Sequence, residues 1–159
     1  MAHQMSDHQG KHTAPYWRFL AMIVLSFLAM YAFMYAMVNA WENVLPNFNQ
    51  AYMAGLMTAP MAIFELLLMG RMYPNKKLNA VLIAVAAVTL AVFWIFIRNQ
   101  TAISDEQFLK SMIPHHAGAI LMCEQTSLRD PDLLRLCDEI IAAQEKEIAV
   151  MKAELSERE

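Results

Sequence analysis

The residues of this chain whose types best suit chemistry are histidines and methionines in its C-terminal third. Two adjacent histidines follow Pro114, and Met112 precedes them by three and four residues, so on a helix it can approach either imidazole. Thioether and imidazole donors together suit copper, above all Cu(I), whereas zinc normally takes more His, Cys or carboxylate ligands. The candidate ligands are Met112, His115, His116, Met122 and Met151.

These residues fall on two predicted helices that form a hairpin. Residues 104–107, Ser-Asp-Glu-Gln, make a capping box that opens a helix running to about residue 128. Asp130 and Pro131 supply an N-cap and a first-turn proline for a second helix running to about residue 155. Inside the first helix, Pro114 is expected to kink the backbone and to leave the Lys110 carbonyl without its usual donor.

Folding the hairpin about Asp130 predicts which residues lie level with one another. Cys123 then faces Cys137, and His116 faces Gln144. An exported compartment is oxidising, so we predict a disulfide between the two cysteines, with free or copper-binding thiols as the alternative. The residues that could orient a histidine from outside the ligand set are Gln144 and Glu147.

Other interpretations of the hairpin stay open. A histidine on an apolar helix face is usually a hydrogen-bonded part of a packed core, and the hairpin could bind a protein partner without any metal. No nucleophile with its base, phosphate-binding loop or carboxylate pair indicates an enzyme. The net charge of −3 gives no sign of nucleic-acid binding.

Upstream of the hairpin the chain is apolar enough to span a lipid bilayer. Only 17% of its residues are charged, against about 25% in soluble domains. Three apolar runs, at 17–38, 52–69 and 78–97, approach or exceed the length of about 20 residues that a spanning helix needs. The predicted fold is therefore all-α, with three transmembrane helices (17–98) and a C-terminal helical hairpin (104–159).

Charge in the connections predicts the orientation. Arg71, Lys76 and Lys77 lie in one turn and should stay in the cytoplasm, whereas the 39–50 connection carries no Lys or Arg. The N-terminus is then cytoplasmic and the hairpin exported, which in a bacterial inner membrane means the periplasm. Residues 38–40 resemble a signal-peptide cleavage site, but the first run is longer than the usual apolar region of such peptides, so we expect it to be retained.

The first 16 residues form a polar segment, most of which we predict to be disordered from its composition. Its histidines, His3, His8 and His12, could bind a metal weakly. A solvated tail without a ligand is the alternative.

A second candidate site lies within the second apolar run. Met57, Met61, Glu65 and Met69 recur every four residues and so share one helix face. An ionisable residue inside a membrane span is a functional candidate, and thioethers would line a path for a soft cation in a transporter or channel. The alternative, which we favour, is adaptable packing by methionine, with Glu65 protonated or hydrogen-bonded to a neighbouring helix.

The sequence of residues 108–122, FLKSMIPHHAGAILM, resembles the signature of the bacterial domain-of-unknown-function family 305. The resemblance continues to about residue 155. Members of this family are ferritin-like helical bundles, often exported, and several are associated with copper binding and resistance. The resemblance therefore implies a copper role, with the five candidate ligands named above as the positions that match.

Many members of that family carry the helical hairpin twice, whereas this sequence carries it once and so supplies half of a four-helix bundle. One hairpin exposes more apolar surface than it can cover, so we expect a homodimer formed through the C-terminal hairpin. The resulting hypothesis is a copper-binding protein, anchored in the bacterial inner membrane, that acts in copper tolerance or trafficking.

Overall fold

The computed structural model describes the backbone of residues 2–158 and the side chains of residues 15–158. These residues form helices and no strand, which confirms the predicted all-α class. The α-helices are α1 (Ala2–Phe33), α2 (Phe48–Leu68), α3 (Lys76–Asn99), α4 (Asp105–Gln125) and α5 (Pro131–Ser156). The α1–α2 connection, residues 34–47, contains the 3₁₀ segments Met34–Met37 and Trp41–Asn43.

The first three helices carry the apolar runs. The stretches Pro15–Met37, Phe48–Leu68 and Lys76–Asn99 are each long and apolar enough to cross a membrane, which confirms the predicted number. α2 begins earlier than predicted because Asn47 caps it: the Asn47 Oδ1 atom accepts a hydrogen bond from the Gln50 backbone N–H at 3.0 Å.

The polar N-terminal segment differs from the prediction. α1 begins at Ala2, so the backbone is helical through the part that its composition predicts to be disordered. Extending an existing helix needs no new nucleation and each added residue gains a hydrogen bond, so a polar segment can continue a helix from an apolar run. The side chains of His3, His8 and His12, and the weak metal binding predicted for them, lie outside the described residues.

The chain divides into two compact units. The first holds α1 up to Tyr31 together with Tyr52–Asn99, and thus most of the three apolar helices. The second holds Ala32–Ala51 and the chain from Gln100 onward, so it combines the α1–α2 connection with the α4–α5 hairpin. The second unit is therefore larger than the hairpin domain that the sequence suggests.

In the first unit the three apolar helices pack around a small core. Its buried members are Phe19, Ala62, Leu66, Tyr73 and Ala86. A Cβ atom added to Gly55 of α2 would overlap the Phe93 ring of α3. Glycine at position 55 therefore lets the Phe93 ring of α3 lie directly on the α2 backbone.

In the second unit, side-chain caps fix the starts of both hairpin helices. Ser104 accepts a hydrogen bond from the Gln107 backbone N–H at 3.3 Å, and Asp130 accepts one from the Asp132 N–H at 2.8 Å. The Gln107 Oε1 atom does not complete the predicted capping box, because it accepts the Phe48 N–H at 2.9 Å instead. Gln107 therefore ties the start of α4 to the start of α2.

The α1–α2 connection covers the hairpin core. Ile113 and Ile120 of α4 are 0% and 1% exposed, and Val38 and Leu45 of the connection pack against the cluster that contains them. This cover was not predicted, and it removes part of the apolar surface on which the homodimer prediction rests. If the first apolar run were a signal peptide cleaved after residue 40, Val38 would be lost from this core.

Pro114 lies inside α4 without ending it. Because proline has no N–H, the Lys110 carbonyl cannot receive its usual helical hydrogen bond. Asn47 of the α1–α2 connection donates from Nδ2 to that carbonyl at 3.3 Å and to the Leu45 carbonyl at 2.9 Å. The donor that Pro114 lacks is thus supplied from the α1–α2 connection.

Candidate metal centre

His116 lies at the seam between α4 and α5, and both of its ring nitrogens have partners. Its Nδ1 atom lies 2.9 Å from the Met112 carbonyl oxygen, and because a carbonyl can only accept, Nδ1 carries the hydrogen. Its Nε2 atom lies 2.8 Å from the Glu147 Oε2 atom. The His116 side chain is 12% exposed and that of Glu147 is 54% exposed, so the imidazole is buried while the carboxylate reaches solvent.

This arrangement suits a metal ligand. A histidine that donates Nδ1–H to a backbone carbonyl has Nε2 fixed as the nitrogen that can bind a metal. In the structure Nε2 faces the Glu147 carboxylate, and a bound ion would take the place of that contact. Of the two residues predicted to orient a histidine, Glu147 makes the contact, although Gln144 is the one predicted to lie level with His116.

Met112 and Met151 lie beside the His116–Glu147 contact. Met112 precedes His116 by four residues on α4, and Met151 follows Glu147 by four residues on α5. Because the two helices of a hairpin are antiparallel, these methionines are level with each other, one turn from the contact. Both are half-buried, and Met151 packs against the core cluster. The seam thus carries two thioethers and one imidazole within about one helical turn.

Met122 lies apart from this group, and His115 borders it, with its ring centroid 6.0 Å from that of His116. Both are exposed, Met122 by 55%. Met122 follows Met112 by a rise of about 15 Å along α4, which is farther than two thioethers bound to one ion can span. The five candidate ligands therefore do not share one mononuclear site: Met112, His116 and Met151 share the seam, whereas His115 and Met122 lie on another face of α4.

Cys123 and Cys137 form a disulfide that joins α4 to α5, with a Cα–Cα distance of 5.3 Å. The pairing is the predicted one, and its redox state in the cell stays a prediction. In the part of the chain that the structure describes, no cysteine is free and no three His, Cys, Asp or Glu side chains gather as a metal site. A copper site among these residues would therefore take its sulfur ligands from methionine.

Glu65 lies in the last turn of α2, close to the end of the apolar run. Its Oε1 atom accepts a hydrogen bond from the Tyr73 hydroxyl at 2.9 Å. Burial, followed by this hydrogen bond and the charge of Glu65, raises the pKa of Tyr73 to about 12. Glu65 is thus hydrogen-bonded to the turn after α2, and not to the neighbouring helix that the packing interpretation names.

The methionine stripe of α2 does not line the apolar cavity among the three helices of the first unit, although Met69 lines a second cavity beside the α2–α3 turn. The apolar cavity has a volume of about 440 Å³, and its walls are apolar apart from Thr58 and Thr89. Met57, Met61, Glu65 and Met69 are not among its lining residues. Met57 and Met69 are 43% and 44% exposed. These positions favour packing over a cation path through a single chain.

Sequence reasoning missed Asn47, the residue that completes the backbone hydrogen bonding of α4. A signal for it was present, because Pro114 leaves a carbonyl in need of a donor and the connection is rich in asparagine. It also missed the contact of Met37 with Gly118, for which the sequence holds no local signal.

The geometry defines an all-helical protein with three membrane-length helices and a C-terminal hairpin whose seam carries methionine and histidine. Residues 96–155 match the family model described as "Domain of unknown function (DUF305)". The "Uncharacterized protein L153" of Acanthamoeba polyphaga mimivirus is 32% identical over 145 residues, covering 87% of this chain and 91% of the viral one. This chain therefore belongs to the same family as L153, with a DUF305 domain at its C-terminal end. No solved structure matches it.

Proposed function

We propose that this chain is a membrane-anchored protein that binds Cu(I) through methionine and histidine side chains of its C-terminal unit, in copper tolerance or trafficking. The observation that carries the proposal is the seam, where the Met112 carbonyl fixes the tautomer of His116. Met112 and Met151 lie one helical turn from His116 and from its neighbour Glu147, respectively. Two thioethers and one imidazole form a soft donor set, which favours Cu(I) over harder ions.

Membrane anchoring is supported by the outer faces of the three apolar helices. Leu25, Leu68 and Val88 are 65%, 82% and 63% exposed, and many similar side chains accompany them. Apolar surface on this scale is unfavourable in water and favourable in lipid.

The orientation is part of the same proposal. The turn that holds Arg71, Lys76 and Lys77 is assigned to the cytoplasm by its charge. Three spans then carry the C-terminal unit to the opposite face, the periplasm if the membrane is a bacterial inner membrane. The connection of residues 34–47 emerges on that face too, which agrees with its packing on the hairpin.

When bound, the copper ion would be held as cargo, and the protein would do no chemistry on it. His116 would provide Nε2, with its tautomer fixed by the Met112 carbonyl, while Met112 and Met151 provide sulfur. For Nε2 to bind the ion, the Glu147 carboxylate would turn away from it toward solvent, to which that side chain is 54% exposed. The proposal is thus a binding protein and not an enzyme.

Cu(I) titration of the full chain in detergent, against a coloured chelator and without oxygen, tests the proposal. Met112→Leu keeps the apolar volume and removes the sulfur. We expect Cu(I) at the seam to bind at least roughly tenfold more weakly, about 1.4 kcal/mol, with the helical circular dichroism unchanged.

The matched control is Met72→Leu, which removes a 53% exposed thioether from the first unit and should leave Cu(I) binding unchanged. Unchanged affinity in both Met112→Leu and a His115/His116 double-alanine variant would exclude the site. A wild-type protein that retains no copper would favour the alternative in which the hairpin binds a protein partner without any metal. Copper flux into vesicles that is lost in Glu65→Gln would favour a transporter.

We also retain the homodimer as a proposal. The start of α5 keeps an apolar surface, since Leu133, Leu134 and Leu136 are 46%, 46% and 49% exposed. A second hairpin packed there would complete a four-helix arrangement. Light scattering on the detergent-solubilised protein should give the mass of two chains, and a strictly monomeric protein would remove the dimer.

A further inference from the structure

The α1–α2 connection lies against α4 at Gly118. A Cβ atom placed on Gly118 would stand 3.5 Å from the Met37 carbonyl oxygen and 3.8 Å from the Met37 Cβ atom. These are ordinary contact distances, so Met37 sits on the surface of α4 where the helix has no side chain. Gly118 is buried by this contact and its surroundings, whereas Met37 is 51% exposed.

Two further soft donors flank the same glycine. His115 precedes Gly118 by three residues and Met122 follows it by four. On a helix such neighbours share a face, with Cβ atoms about 5–6 Å apart. His115 is exposed and Met122 is 55% exposed. Met37 therefore contacts α4 at a glycine that has an imidazole about one turn before it and a thioether about one turn after it.

This group borders the seam between α4 and α5 but faces another way. Adjacent residues on a helix diverge by about 100°, so His115 and His116 leave α4 in different directions, although their ring centroids lie 6.0 Å apart. The distance of Met122 from Met112 along α4 also prevents one ion from using both methionines. The motif residues that the seam leaves unused thus flank the glycine that Met37 contacts.

We propose that Met37, His115 and Met122 form a second Cu(I) site, with two thioether sulfurs and one imidazole nitrogen as ligands. The inference rests on the proposed copper function and extends it, because one ligand comes from the α1–α2 connection, outside the residues that match the family model. Three soft donors suit Cu(I), and binding requires no change in oxidation state. Bound copper would also fasten the connection to α4.

The test is the Cu(I) stoichiometry of the full chain in detergent, titrated against a coloured chelator without oxygen. Wild type should bind two ions per chain. Met37→Leu should bind one, with the affinity of the remaining ion unchanged, and Met112→Leu should lose the other ion. Met122→Leu alters an exposed side chain and should reproduce the Met37→Leu result without any loss of packing.

Met72→Leu again serves as the control and should bind two ions. One ion per chain in wild type, lost in Met112→Leu and retained in Met37→Leu and Met122→Leu, would overturn the second site and leave the proposed function standing. No copper in wild type would overturn both.

Discussion

Tyr73 illustrates how one buried hydroxyl organises an end of the first unit. It is 4% exposed, it donates to Glu65, and its ring lies 5.4 Å from that of Tyr16 and 5.7 Å from that of Phe19. The Tyr16 hydroxyl in turn donates to the Asn79 Oδ1 atom at 2.8 Å. Glu65 therefore belongs to a hydrogen-bonded junction of α1, α2 and α3.

Tyr73→Phe should change how stability depends on pH. Because the pKa of Tyr73 is raised from 10.0 to about 12, the folded state holds this proton more tightly than the unfolded state. Its stabilising contribution is complete below pH 10 and is lost as pH rises through about 12. Thermal unfolding in detergent should show wild type losing stability in this window more steeply than Tyr73→Phe.

The control is Phe96→Leu, which alters the aromatic cluster with Tyr52 and Phe93 and removes no hydroxyl. It should keep the wild-type slope. Equal slopes for wild type and Tyr73→Phe would show that the junction does not hold the proton.

At the same scale, His116 shows which contacts of the site could be predicted from residue types and spacing. The Met-x-x-His-His spacing predicted an imidazole within reach of Met112, and the structure gives His116 that position. The partner on α5 could not be fixed from sequence, since a shift of one turn exchanges Gln144 for Glu147. Such a shift changes which polar side chain of α5 contacts the His116 ring, but it leaves the same apolar residues of α5 facing α4.

Among the structural elements, α4 depends on the α1–α2 connection for one backbone hydrogen bond. Asn47→Ala should leave the Lys110 carbonyl without its Nδ2 donor and destabilise the protein by roughly 1–3 kcal/mol. Part of this loss belongs to the α2 cap, which Asn47 also makes. Thermal unfolding of the detergent-solubilised protein measures the change.

Pro114→Ala separates the two contributions, because alanine restores an N–H that can bond to the Lys110 carbonyl. In the double variant, part of the cost of Asn47→Ala should disappear, giving a coupling of roughly 0.5–3 kcal/mol. Strictly additive effects would mean that Asn47 acts only as the cap of α2.

The disulfide is the second feature that links structural elements, since it joins α4 to α5. Cys123 and Cys137 are separated by 14 residues in sequence. In the chain-entropy model, closing a loop of this size contributes roughly 3 kcal/mol. Native protein should therefore contain no titratable thiol, and reduction should lower its unfolding temperature. Two free thiols in protein isolated without reductant would contradict this.

Helix positions were predictable because local chemistry specifies them. Ser104 and Asp130 begin α4 and α5 as their capping preferences predict. The packing of residues 34–47 on α4 was not predictable, since the connection has no periodic pattern and its contacts join residues far apart in sequence. One of the three ligands of the proposed second site, Met37, depends on that packing.

For the whole molecule, the main prediction is its orientation. A reporter that is active only outside the cytoplasm, fused after residue 159, should be active, because three spans separate it from a cytoplasmic N-terminus. The same reporter fused to a chain truncated after Met72 should be silent, since that position lies in the basic turn. The opposite pattern would invert the assignment and place the hairpin in the cytoplasm.

X-ray absorption at the copper edge tests the central claim most directly. The sample is the full wild-type chain in detergent, loaded with Cu(I), after a thiol assay has shown that Cys123 and Cys137 are bonded. We predict a first coordination shell of sulfur together with imidazole nitrogen, because methionine is then the only available source of sulfur among the described residues. A shell of nitrogen and oxygen alone, or a protein that retains no copper, would contradict the proposal.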